Sequence, residues 1–300
     1  MLAASVIINV RNQEANIAGC LEAVLQQRSS DAFEVIVVDS GSTDRTVEIA
    51  KQYPLRLYQT PLEQFSWGHN RNIGAEAALG RYLVYLGADA LPANEHWLSN
   101  LLKGFNGDDV AGVYGRQIPR DRVCPMEKFY LHYTYGPRRR AQASDGGPFT
   151  MDVTWFSNVC SALRKDVWET HPFSETVLFG EDQEWSLRAL RAGYKIVYEP
   201  EAVVIHSHNY TLAQALKRWF NSGISSYESY MPSRKEEPLY FLNRGLRYLL
   251  AELTFLATRG YLLWVPYALI YEATKFGGLM LGRYHGWLPK SLVQRLILKY

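Results

Sequence analysis

FGEDQEWSLRALRAGYKIVYEPEAVVIH, residues 179–206, opens on three acids and closes on a histidine. Glu181, Asp182 and Glu184 lead a run with helical spacing through Trp185, Leu187, Leu190 and Arg191. Gly193 is expected to stop that helix, and strands are expected over 195–198 and 202–205, the second ending on His206. Acids in a first turn suit the positive end of the helix dipole, and Glu184 can pair with Arg188 at i,i+4. The same arrangement is how α/β folds present an acid/base and a metal ligand at a sheet edge. The flanking sequence decides between a plain surface helix and a site.

Working upstream, 5–10 and 33–38 are apolar runs of the kind that form strands buried on both faces. A helix is expected to open at Arg11-Asn12-Gln13-Glu14, with Ile17, Leu21, Val24 and Leu25 on one face. Asp39 ends the second strand, where open α/β sheets bind ligands, and is expected to contact one. Asp44 is read as a loop and cap residue. Strands follow at 55–58 and 82–86, the latter running into Gly87-Ala88-Asp89. Between them Arg71 enters a small-residue helix and is well placed to meet a phosphate. Alternating strands and helices with acids at successive carboxyl ends describe a nucleotide-binding sheet. The Gly-rich dinucleotide loop is missing, which argues against a dehydrogenase.

Further along, a helix is expected over 94–105, strands at 110–116 and 153–156, and a short helix at 165–169. Residues 136–150, with Arg138, Arg139 and Arg140, read as a mobile loop carrying a solvated charge run. Residues 1–200 hold 20 Lys+Arg against 24 Asp+Glu, whereas 201–300 hold 12 against 6. The basic tail has a helix over 211–230, a charged break at 233–238 and a leucine stripe at Leu239, Leu242, Leu246, Leu249, Leu253 and Leu256. Residues 260–271 are uncharged but too short to span a bilayer. With Tyr261, Trp264, Tyr267, Tyr271 and Trp287, the tail reads as interfacial, or as a helical subdomain packing on the sheet or in a homodimer. Cys20, Cys124 and Cys160 lack metal-type spacing and read as reduced thiols. MLAASVIINV reads as a strand and not a signal peptide.

Four segments, SVIINVRNQEANIAGCLEAVLQQ, FEVIVVDSGSTDRTVEIA, GHNRNIGAEAALGRYLVYLGADA and FGEDQEWSLRALRAGY, resemble the inverting GT-A glycosyltransferases of family 2. The likeness covers residues 4–210. The pieces FxxGxxRNxGA, GADALP, EDQEW, HSHNYT and KFGGLMLGRYHGWLP are most similar to bacterial rhamnosyltransferases of surface-polysaccharide assembly. The resemblance implies an α/β, Rossmann-like, mostly parallel sheet flanked by helices over 1–210. A C-terminal helical, membrane-associating extension would follow over 211–300.

It also implies roles. Val10 and Arg11 would line the nucleobase pocket, Asp39 would hydrogen-bond the base, and Arg71 would contact the nucleotide end of the donor. Asp89 is the surviving acid of an Asp-x-Asp whose first position is Gly87. Asp89 and His206 would hold Mg²⁺ or Mn²⁺, and the missing acid leaves metal-independent turnover open. His208 ranks below His206, because alternation along a persisting strand points it to the other face. Asp182, with Glu181, matches the catalytic Glu-Asp pair, Asp182 being the general base. Trp185 would shape the donor and acceptor pocket.

The expected partners are a nucleotide-diphosphate sugar, best read as dTDP-rhamnose, and a lipid-linked saccharide at the cytoplasmic membrane face. No nucleic acid is expected. UDP- or GDP-hexose remains an alternative donor. A sugar nucleotidyltransferase is disfavoured, since no glycine follows the first strand.

Overall fold

The computed structural model describes residues 2–29, 32–144, 146, 149–230 and 237–298. In chain order the elements begin β1 (Ala4–Val10), α1 (Ile17–Leu25), β2 (Phe33–Asp39), α2 (Thr46–Ala50), β3 (Arg56–Gln59) and α3 (Trp67–Ala77). Next come β4 (Tyr82–Gly87), β5 (Leu91–Pro92), α4 (Trp97–Leu102), β6 (Val110–Ile118), α5 (Pro125–Thr134) and β7 (Arg140–Gln142). Then follow β8 (Cys160–Arg164), α6 (Lys165–Thr170), α7 (Glu181–Arg191) and β9 (Lys195–Ile205). The last helices are α8 (Leu212–Ser225), α9 (Glu237–Thr258), α10 (Val265–Arg283) and α11 (Lys290–Leu296).

These elements fall into two compact units. The first comprises Met1–Ile118, Tyr135–Val177 and Glu181–His206; the second comprises Pro119–Thr134, Leu178–Gly180 and Ser207–Tyr300.

In the first unit a single sheet runs β3-β2-β1-β4-β8-β6-β9-β5, with β7 also pairing β9. β3, β2, β1 and β4 are parallel, and β1, β2 and β4 are largely buried on both faces. β8 then lies antiparallel to both β4 and β6. β6 pairs β9 in parallel, while β5 and β7 run antiparallel to β9. The sheet is therefore mixed, which corrects the expectation of a mostly parallel one. Ile17, Cys20, Leu21 and Val24 of α1 pack on Val6, Ile8, Val35 and Val37 in the main core.

Several local expectations change for identifiable reasons. Residues 11–16 form a loop and not a first helical turn. Asn12 is held in the left-handed region at φ 51°, where its Oδ1 accepts from the Thr43 amide. Asp44 does act locally, accepting from the Thr46 and Glu14 amides. The strand expected at 153–156 is instead a turn closed by Val153 and Thr154 amides onto the Thr150 carbonyl. The two strands expected over 195–205 are one, β9, whose register against β6 shifts between Gly115 and Arg116. Pro200, opposite that shift, has no N–H to give the ladder. The 136–150 loop contains β7, paired with β9.

The second unit is helical. Thr211 and Gln214 form a capping box that starts α8. Pro266 falls in the first turn of α10, where its missing N–H costs nothing. Met126, Ala215, Leu256, Ala268 and Tyr271 form its core. The leucine stripe of α9 is not all inward, since Leu242 and Leu246 are exposed. The charged break at 233–236 and the side chain of Leu239 lie outside the described residues. Among the described residues no helix is long and apolar enough to cross a membrane.

Candidate active site

The carboxyl ends of β1, β2 and β4 converge on one edge of the sheet in the first unit. Val10 is paired with Asp39 across β1 and β2, and both are buried. The Asp39 carboxylate accepts from the Ser42 amide at 3.2 Å and 3.3 Å, which fixes its orientation. Arg11 follows Val10, partly exposed at the same edge. Asn70 donates to Ser40 Oγ at 2.5 Å and to Thr60 Oγ1 at 3.2 Å, tying α3 to the loop beyond Asp39. Asn9 lies opposite Gly87 in the β1–β4 register, with both amide atoms buried and no partner among the described residues. The sequence reading passed over Asn9. Its signal was a polar side chain inside an otherwise apolar strand.

Arg71 rides on α3, which starts with the Ser66 hydroxyl accepting from the His69 amide. The helix lies very close to its neighbour: a Cβ at Gly68 would come within 2.0 Å of the Ser174 carbonyl oxygen. Arg71 Nη1 lies 2.5 Å from Glu181 Oε1, and the guanidinium sits over the Trp67 ring at 5.4 Å. Both members of the ion pair are buried, at 12% and 4% side-chain exposure. The guanidinium expected to meet the donor is thus committed to Glu181.

Asp89 follows β4, and Asp89 Oδ2 stands 3.5 Å from His206 Nε2 at the end of β9. The His206 amide is fixed by the Ile118 carbonyl at 2.9 Å. Its Nδ1 meets Gln117 Oε1 at 2.9 Å, while Gln117 Nε2 donates to Tyr135 Oη and Ser157 Oγ. With the amide oriented in that way, Nδ1 donates to Gln117 and Nε2 is the ring nitrogen left facing Asp89. A carboxylate and an imidazole nitrogen facing each other form a donor set suited to a divalent cation. Among the described residues Asp89 and His206 are both candidate ligands. The alternation that ranked His208 low ends with β9 at Ile205. A Cβ at Gly87 would lie 3.1 Å from Asp89 Oδ1, so the vacant first acid position is also a crowded one.

α7 carries the two acids, and Gly193 closes it at φ 89° while the Tyr194 amide reaches back to Ala189. Asp182 accepts from the Asn158 amide at 3.2 Å and from the Gln183 amide at 2.9 Å. Burial pushes the Asp182 carboxyl above the usual range and Glu181 up to about 7, against the pull of Arg71. Next to Asn158, the Val159 carbonyl accepts from the Gly87 amide at 3.0 Å. A two-residue segment thus touches both the Asp182 carboxylate and the strand end that leads to Asp89.

Two further side-chain groups have contacts that the sequence did not show. Trp185 is fully buried, its Nε1 donating to the His171 carbonyl at 2.9 Å and its ring set against Phe156 and Phe173. It anchors α7. The arginine run is also not merely solvated, because Arg139 pairs Glu199 at 3.1 Å and Arg140 stacks over Tyr198. The Glu184–Arg188 pair forms as expected, at 2.7 Å.

Residues 5–168 match the family model described as Glycosyl transferase family 2. The chain is 32% identical over 269 residues to the O-antigen chain rhamnosyltransferase WbaN of Salmonella anatum, covering 89% of this chain and 84% of that one. It is 29% identical over 291 residues to the O-antigen chain rhamnosyltransferase RfbN of Salmonella typhimurium, covering 96% and 91%. Among solved structures it is similar to the mannosyltransferase PcManGT from Pyrobaculum calidifontis in complex with GDP-Man and Mn²⁺. That likeness has a TM-score of 0.65 at 19% identity, covering 94% of this chain and 87% of that one. It is also similar to S. aureus TarS 1–349 in complex with UDP-GlcNAc, with a TM-score of 0.54 at 16% identity, covering 98% and 92%.

Proposed function

The chain belongs to glycosyl transferase family 2, and we propose that it moves L-rhamnose from dTDP-rhamnose to a hydroxyl of a lipid-linked saccharide, with inversion. The observation that carries this reading is the 158–159 segment, which joins the Asp182 carboxylate to the strand end before Asp89. The names of the two relatives aligned over most of the chain favour the rhamnosyl donor.

In this reading Val10, Arg11 and Asp39 receive the nucleobase. Asp89 and His206 would hold a divalent cation, Mg²⁺ or Mn²⁺, which would supply positive charge against the diphosphate leaving group. Asp182 takes the proton from the acceptor hydroxyl as that oxygen attacks the anomeric carbon from the face opposite the diphosphate. General-base assistance of this kind is worth about 10²–10⁴-fold. One displacement inverts the centre, so a β-linked donor gives an α-linked product. Glu181 and Arg71 act on Asp182 by fixing the start of α7 and its local charge. The acceptor's lipid places the work at the cytoplasmic face of a membrane.

Release of nucleotide from a panel of nucleotide sugars, with Mg²⁺, Mn²⁺ or chelator, tests this. Turnover of dTDP-rhamnose above the rest, lost with chelator, is the expected result. Preference for a UDP- or GDP-sugar would overturn the donor.

A further inference from the structure

The second unit has a charge asymmetry that the catalytic reading does not use. Across residues 241–298 no described carboxylate is exposed. Glu252 is fully buried, and Glu272, held by Lys275 at 2.8 Å, is only 13% exposed at its side chain. Glu228, upstream of this range, faces His285 at 3.3 Å. Arg247, Arg259, Lys290 and Arg295 are all exposed.

Uncovered apolar side chains stand on this one-signed surface. The turn Leu262–Trp264, between α9 and α10, has Leu263 96% exposed, with Leu262 and Trp264 also exposed beside it. The next turns of α10 add Leu269 and Ile270. Trp287, in the turn before α11, is 90% exposed. Cations frame the first turn: Arg259 lies over the Phe255 ring at 5.9 Å and Lys128 over the Tyr261 ring at 5.7 Å.

We propose that the Leu262–Trp264 turn, with Leu269 and Ile270, docks on an anionic phospholipid surface, and that Trp287 sits at the same interface. The proposal rests on the reading of a lipid-linked acceptor. Side chains such as Leu, Ile and Trp enter the headgroup boundary, while Lys and Arg meet lipid phosphate. The charge favours lipid over a second copy of this chain. A two-fold contact through this face would bring the same cations together, with no exposed carboxylate from residues 241–298 and only Glu228, 52% exposed and already facing His285, close by.

The test is sedimentation of the full chain with vesicles of phosphatidylcholine alone, or with about one third phosphatidylglycerol. Each mixture is also assayed for nucleotide release from dTDP-rhamnose. The proposal expects binding to the anionic vesicles, weakened at least about tenfold by Leu263→Asp and kept by Leu263→Trp, with nucleotide release in free solution unchanged. Equal binding of L263D and the parent, equal binding to both lipids, or no vesicle binding with a concentration-dependent dimer would each overturn it. Vesicle binding without release from dTDP-rhamnose would sink the rhamnosyl-donor reading and leave the docking surface standing.

Discussion

Arg71 and Glu181 form a buried ion pair, Nη1 to Oε1 at 2.5 Å, between the helix after β3 and the first residue of the helix that carries Asp182. The pair sets the electrostatics of the base. Burial raises both Glu181 and Asp182, and Arg71 is the main opposing influence on each.

Arg71→Met removes that opposition, so both carboxyls should rise further. A general base works only when ionised, so activity falls as pH drops through its pKa. The acid limb of the pH–rate profile should therefore move to higher pH in R71M, with Arg71→Lys moving it less. Leaving Glu181 buried without its partner should also cost about 3–5 kcal/mol of stability, read by urea denaturation. An unmoved acid limb would separate Arg71 from the base.

Gln117 holds the tautomer of His206. Gln117→Leu takes away the acceptor for Nδ1 and should weaken Mn²⁺ binding by about 10–100-fold, measured by calorimetry with nucleotide diphosphate present. Unchanged Mn²⁺ affinity would remove His206 from the ligand set.

Glu252 is buried in the helical unit, and neither carboxylate oxygen has a hydrogen-bond partner among the described residues. Burial, with Glu272 nearby, pushes it up to about 8. The folded state keeps the proton that the unfolded chain loses from about pH 4.5 upward. Stability contributed by the neutral carboxyl is thus present at low pH and lost progressively until about pH 8. Glu252→Gln should flatten this part of the Tm–pH curve and be the more stable form at pH 8. Parallel curves for the two proteins would contradict the assignment.

The sheet's first half was legible because β1, β2 and β4 are continuous apolar runs that end on marked residues, two of them at Asp39 and Gly87-Ala88-Asp89. The acids of α7 and His206 were legible from helix start and strand end. The burial of Trp185 follows from its place one helical turn before Ala189, itself fully buried, but an aromatic beside two acids also suits a pocket wall. β8 was hidden because its five residues have no alternation, and α5 because its apolar and polar positions are mixed with aromatics. The Arg71–Glu181 pair joins helices far apart in sequence, and only the tertiary packing brings them together.

The most direct test of the account is Asp182→Asn. Transfer from dTDP-rhamnose to a lipid-linked acceptor would be followed in a single turnover, with dTDP affinity measured on the same preparation. The account predicts a rate lower by about 10²–10⁴-fold at unchanged dTDP affinity. Transfer at the parental rate would contradict Asp182 as the base.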